Sequence, residues 1–179
     1  MESSSYIPQT THNYRWYGAV LRGDVNSITI GANTNIQDRV VVHASKENAD
    51  AGGFPTSVTV GDFCSVGHGA VLSACVLENH ALVGANAIVL DGALVESHAM
   101  VEPGAVVPPG RRVPAGQVGG GNPAAYVRDV RDDEMEGIQK QADYYAEVGN
   151  KHATEFLPYG SAYLDEGTLE GLPVGVAKE

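Results

Sequence analysis

Aliphatic residues recur along the chain at a spacing that is neither helical nor strand-like. Ile30, Ile36 and Val42 are six apart, as are Val60, Val66 and Leu72; after one slip of five the series resumes as Leu77, Val83, Val89, Val95, Val101, Val107 and Val113. A period of six fits short strands separated by turns and wound into a coil. One aliphatic residue per hexad then points inwards. The small residues of "VGDFCS", "VGHGAV", "VGANAI" and "VEPGAV" take the corners, where crowding and positive φ penalise larger side chains. The expected fold is an all-β left-handed parallel β-helix over 16–125, with between four and five coils, about 20–24 Å tall at a strand spacing of about 4.8 Å. Residues 44–57, "ASKENADAGGFPTS", break the period and predict a loop leaving one corner.

The flanks are patterned differently. Residues 126–156 contain no proline, place acidic residues in the expected first turn, and align Met135, Ile138, Ala142, Tyr145 and Val148 on one stripe. A C-terminal α-helix packed along an outer face of the coil is expected there. Residues 1–15 are read as an N-terminal extension, and residues 157–179 as an irregular tail that docks on a neighbour or stays mobile.

Composition narrows the function. With 22 glycines, three phenylalanines and one tryptophan in 179 residues, the core must be a regular lattice of small side chains. A formal charge of −11 leaves no basic footprint for nucleic acid or anionic lipid. No apolar run approaches the roughly 20 residues of a transmembrane helix, and "MESSSYIPQTTHNYRW" is neither a signal peptide nor an Arg-rich transit peptide. Two cysteines, Cys64 and Cys75, exclude a disulfide framework and read as small buried hydrophobes. "GGGNPAAY" lacks the Lys-Ser/Thr of a phosphate loop and reads as the exit turn from coil to helix.

The segments "WYGAVLRGDVNSITIGANTNIQDRVVVHAS", "VTVGDFCSVGHGAVLSAC" and "VPAGQVGGGNPAAYVRD" resemble the gamma-class carbonic anhydrase family over roughly Trp16 to Asp129. "VVPPGRRVPAG" and "EFLPYGSAYLD" resemble more narrowly the carbonic-anhydrase-like subunits of mitochondrial respiratory complex I in plants and algae. The resemblance implies a trimer of β-helices with zinc at each subunit interface, held by three histidines, two from one subunit and one from its neighbour. It assigns the "VVHAS" ligand to His43, the ligand given across the interface to His68, and the third ligand to position 73, where this chain has Ser73. Arg22 and Asp24 in "LRGD" resemble a pair bridging subunits, and Gln37 and Asp38 in "NIQD" resemble groups lining the metal pocket. An acidic proton shuttle after the first histidine is not evident; Lys46 and Glu47 are the nearby charges. His12, His80, His98 and His152 have no metal spacing to one another and are expected at the surface. Family members usually carry more hexads before the tryptophan segment, so the coil is either short or the sequence begins inside a longer protein.

Catalytic zinc takes three protein ligands plus water, and serine is not among its usual donors. The leading expectation is therefore a non-catalytic, structural subunit of a heterotrimeric domain. It binds no cofactor alone and can donate His68 to a zinc site on a homologous partner. By the same resemblance its other partners are complex I membrane-arm subunits, on the matrix side of the mitochondrial inner membrane. The alternatives are an active zinc carbonic anhydrase hydrating CO₂ and a hexapeptide acyltransferase sharing the coil, which acyl-coenzyme A binding would reveal.

Overall fold

The computed structural model describes residues 14–46 and 55–155. By backbone contacts the chain divides into two units, Met1–Ala146 and Glu147–Glu179. The first contains the coil. It opens with β1 (Tyr14–Arg15), β2 (Val20–Arg22) and β3 (Ile28–Ile30). The second turn is β4 (Asn35–Ile36), β5 (Val41–His43) and β6 (Val58–Val60), and the third is β7 (Ser65–Val66), β8 (Val71–Ser73) and β9 (Val76–Leu77). Then come β10 (Leu82–Val83), β11 (Ile88–Val89) and β12 (Leu94–Val95), followed by β13 (Met100–Val101), β14 (Val106–Val107) and β15 (Arg112–Val113). β16 (Gln117–Gly120), β17 (Ala125–Asp129) and the helix α1 (Asp132–Glu155) complete it.

Every third strand pairs in parallel, giving three sheets around one core: β1-β4-β7-β10-β13-β16 with β17 added antiparallel, β2-β5-β8-β11-β14, and β3-β6-β9-β12-β15. All thirteen residues of the six-residue series are buried, from Ile30 at 6% exposed to Leu72 at 0%. Cys64 and Cys75 sit with Ala70, Ala81, Ala87, Ala93, Ala99 and Ala105 two residues before an inward aliphatic, and all are buried. The slip of five falls at Ala74, where one corner closes on a single left-handed residue at φ 38. Gly67 shows why corners stay small: a Cβ there would lie 2.6 Å from Ala85 N in the next coil.

Two expectations are corrected. The coil has five full turns plus β16, because β1 lies upstream of residue 16 and places Arg15, not an aliphatic, in register with Ile36. The helix begins at Asp132 instead of 126, since Ala125–Asp129 forms β17, which covers the open edge of β16 after a turn containing the cis Asn122–Pro123 bond. The chain of "AYVRD" suits this, with an aromatic and a β-branched residue at its centre. Arg128 then fastens β17 to the helix through a two-bond pair with Glu134 (2.7 and 2.9 Å), and Glu134 also accepts the Arg131 N–H at 3.0 Å, half of a capping box.

Within the first unit α1 runs back along one corner of the coil. Met135 lies beside Gly116, Gln139 Oε1 is 2.9 Å from His80 Nε2, and the Tyr145 ring meets Trp16 edge-on at 5.8 Å. Ile138 and Ala142 are buried beneath it. His80 and His98, expected as plain surface residues, instead stack in parallel at 4.7 Å, and His80 stacks on Phe63 at 5.1 Å. All three occupy left-handed corner positions one coil apart. The tail after residue 155 and the segment 47–54 of the expected loop lie outside the described residues; the loop's ends are joined by Ser45 N–H to Thr56 O, 2.8 Å. No helix among the described residues is long and apolar enough to cross a membrane.

Candidate functional site

The sheet β2-β5-β8-β11-β14 carries three of the candidate residues, Arg22, His43 and Ser73. In a parallel sheet, register neighbours point the same way about 4.8 Å apart. One outward rung is Arg22–His43–Ser73, and the other is Val20–Val41–Val71–Ile88–Val106. Between them the inward residues Val42, Leu72, Val89 and Val107 are fully buried. The valine ladder is partly open to solvent, with Val20 52% and Val41 36% exposed. A continuous apolar ladder on an open sheet face is the kind of surface that meets another protein.

The structure brings His43 and Ser73 together as direct neighbours. His43 is half-buried, and its Nδ1 is buried with no hydrogen-bond partner among the described residues. Such orphans are uncommon, and this one fits a nitrogen reserved for a group outside the chain. Arg22 donates from Nε (3.2 Å) and Nη2 (3.1 Å) to Asp24, and that hydrogen bond is the main reason the Asp24 carboxyl sits below its ordinary value. Within one chain the pair is therefore satisfied internally.

His68 is exposed, at the corner between β7 and β8. Its backbone N–H donates to Gln37 Oε1 (3.1 Å), and Gln37 Nε2 donates to Asn35 Oδ1 (3.4 Å). Asn35 Nδ2 in turn donates to Ser65 Oγ at 2.7 Å. Both ends of the Gln37 amide are thus engaged in holding the His68 corner. Asp38, assigned to the same pocket by resemblance, uses Oδ1 to accept the Tyr17 N–H (3.1 Å) and its carbonyl to accept the Gly69 N–H (2.8 Å), so it builds the corner. Sequence reasoning missed Asn35 and Ser65. Their signal was available, since a polar residue stands before the inward aliphatic in "NI" and "SV" where later turns have Leu82 and Met100.

A zinc ion does not fit the residues of one chain. Among the described residues no group of three His, Cys, Asp or Glu side chains is placed to hold a metal. Burial pushes the Cys64 and Cys75 thiols up to about 12, so neither offers a thiolate. His43 is left with serine as its neighbour, one good donor beside a poor one.

Fold and surface thus define the class: a hexapeptide-repeat β-helix whose polar residues face outward beside an apolar ladder. Two solved structures share it: a hexapeptide transferase family protein from Anaplasma phagocytophilum (TM-score 0.71, 36% identity, 78% of each chain) and a putative acetyltransferase from Bacillus cereus (TM-score 0.72, 27% identity, 79% of this chain and 78% of that one). No family model matches the sequence. Curated relatives do: a probable carbonic anhydrase of Methanocaldococcus jannaschii is 50% identical over 133 residues, 74% of this chain and 79% of the relative. Gamma carbonic anhydrase 2, mitochondrial, of Arabidopsis thaliana is 46% identical over 140 residues, 78% of this chain and 50% of the relative. Gamma carbonic anhydrase-like 1, mitochondrial, of the same plant is 45% identical over 150 residues, 84% and 59%. The chain belongs to the gamma carbonic anhydrase family. It spans about half the length of the plant relatives it matches.

Proposed function

We propose that this chain is a non-catalytic gamma carbonic anhydrase-like subunit that builds a heterotrimeric domain of mitochondrial respiratory complex I. The observation that carries this reading is the His43–Ser73 rung, where the second ligand of the chain's own pair is a serine. The mitochondrial names of its plant relatives support the compartment. In this reading the chain cannot furnish two histidines to a site of its own, yet its exposed His68 can serve as the single histidine given to a neighbour that retains both. Arg22 and Asp24 then exchange their mutual pairing for bridges across the interface. The trimeric state, the complex I partners and the inner-membrane, matrix-side location belong to the same proposal.

The test is metal content and CO₂ hydration of the chain alone and co-assembled with a relative that has all three histidines. Alone, zinc is expected well below one per site with no hydratase activity. The mixed assembly is expected to hold zinc that His68→Ala in this chain removes, and Ser73→His is expected to restore zinc to the chain alone. A full zinc complement and hydratase activity in the unmodified chain alone would refute the reading. Saturable acetyl-coenzyme A binding would instead favour acyl transfer, the activity named for the Bacillus cereus structural neighbour.

A further inference from the structure

The end of the coil is closed on two of its three sides. β17 covers β16, and residues 121–124 cover β14: Val106 N–H donates to Gly121 O (3.0 Å) and Ala124 N–H to Val106 O (2.7 Å). The third sheet ends at β15. Along that sheet Thr59, Val76 and Leu94 give their N–H groups to Cys75, Ala93 and Arg111 in the following coil. Arg112 is next in that register, and among the described residues no further strand of its sheet receives its N–H.

Two departures from the hexad fall in this last layer, one on the β16 side and one on the uncapped β15 side. The inward rung of the β16 sheet runs Ile36, Val66, Val83, Val101 and then Gly119, so its last layer has no aliphatic side chain. The position two before the inward rung runs Ile28, Val58, Cys75 and Ala93, all buried, and then Arg111, which is exposed. One departure removes apolar volume and the other supplies a cation. Both border a cavity of about 180 Å³ lined by Val113, Val118 and Ala124, with Arg111, Arg112 and Tyr126 also among its walls. The other charges there are matched: Arg112 pairs with Glu96, and the Tyr126 hydroxyl donates to Asp129 at 3.2 Å. Arg111 makes no ion pair among the described residues.

We propose that this cavity binds a small aliphatic carboxylate, its head held by the Arg111 guanidinium and the Arg112 N–H and its tail lying over Gly119 and Val113. An enclosed apolar cavity of about 150 Å³ takes up benzene; this half-open pocket of about 180 Å³ has room for a tail of about five or six carbons. A charge-assisted guanidinium–carboxylate contact beside the apolar wall of Val113, Val118 and Ala124 supplies orientation and selectivity. The site is separate from the His43–Ser73 rung and does not depend on the function proposed above.

The experiment is a titration of the full chain with hexanoate, followed by backbone amide NMR, with 1-hexanol and acetate as probes of tail alone and head alone. Saturable shifts at Arg112, Gly119 and Ala124 are expected, with hexanol and acetate each at least tenfold weaker. Arg111→Gln is expected to weaken hexanoate at least tenfold, the scale of one lost hydrogen bond to a charged group. Because Arg111 is exposed, the urea midpoint should not move. Gly119→Ala, whose Cβ would meet Val113 methyls at an ordinary 3.4–3.5 Å, should also weaken hexanoate while preserving the fold. Absence of saturable hexanoate shifts, equal binding of hexanol, or unchanged binding in Arg111→Gln or in Gly119→Ala would each overturn the proposal.

Discussion

The Asn35–Ser65 pair should matter more for where His68 sits than for how stable the coil is. Asn35 is fully buried and Ser65 nearly so, joined by a 2.7 Å bond, and Asn35 also accepts from Gln37. Asn35→Leu strands the Ser65 hydroxyl and one hydrogen of Gln37, a loss of about 1–3 kcal/mol for buried groups left unpaired. Ser65→Ala leaves the Asn35 amide with only the distant Cys64 carbonyl, 3.5 Å away, and should cost about 1–2 kcal/mol. The double variant removes both ends of the Asn35–Ser65 bond, leaving only the part-buried Gln37 hydrogen without its long 3.4 Å contact. Leu82 and Met100 already occupy this outward rung in the following coils, so an apolar pair fits it, and the double variant should return to within about 1 kcal/mol of the parent. Urea unfolding of the four proteins gives the cycle, and hydrogen exchange at the His68 N–H, whose acceptor is Gln37 Oε1, gives the positioning. Exchange should quicken in Asn35→Leu and in the double variant, and least in Ser65→Ala, which keeps the Asn35–Gln37 bond. A double variant as unstable as the sum of the singles, or unchanged His68 exchange, would refute the argument.

Other expectations concern strain and charge. Gly67→Ala should destabilise markedly, by about 1–3 kcal/mol or more, because its Cβ would press on backbone N of Ala85 at 2.6 Å and displace the neighbouring His68 corner; thermal unfolding checks it. Burial, then the neighbouring His80, holds the His98 imidazole below its ordinary value. The unfolded chain therefore binds protons first, so stability should be complete above about pH 6.5 and fall as pH drops below it. His98→Phe, preserving a ring in the stack, should flatten that slope between pH 7 and 5 in urea unfolding. Glu134 is held at about 2 by its bonds to Arg128 and the Arg131 N–H, so its contribution should persist above pH 4.5 and vanish as pH falls towards 2. Glu134→Gln should remove that acid dependence and fray the start of the helix, seen by circular dichroism.

The coil was legible because its inward rungs obey one period, and each residue of that period proved buried. What escaped lies at the ends, where the rule is broken. Arg15, in register with Ile36 but exposed and not aliphatic, breaks the series, which hid β1. Tyr126 and Val127 follow no hexad, which hid β17, the strand that covers β16. The candidate site could be named in the sequence, but its arrangement could not. Family resemblance, not spacing, points to His43, His68 and position 73; strand register makes His43 and Ser73 neighbours, and the fold shows Gln37 and Asp38 occupied with the corners that flank them. The His80–His98 stack was invisible for the same reason: the residues are eighteen apart in sequence and one coil apart in space.

Ser73 itself follows from this division between inward and outward rungs. Its neighbour Leu72 points into the core and is fully buried, while position 73 points out beside His43. A change from histidine to serine at an outward rung removes chemistry without disturbing any packed residue, so a chain can lose its own metal pair and still coil normally. The cost appears elsewhere, on the same face. The His43 Nδ1, without a partner among the described residues, and the exposed ladder from Val20 to Val106 are both unfavourable while that sheet faces water. One event, another subunit covering the sheet, would relieve both. Under the proposed function, that shared relief is a physical reason for a subunit without a complete site to keep its interface.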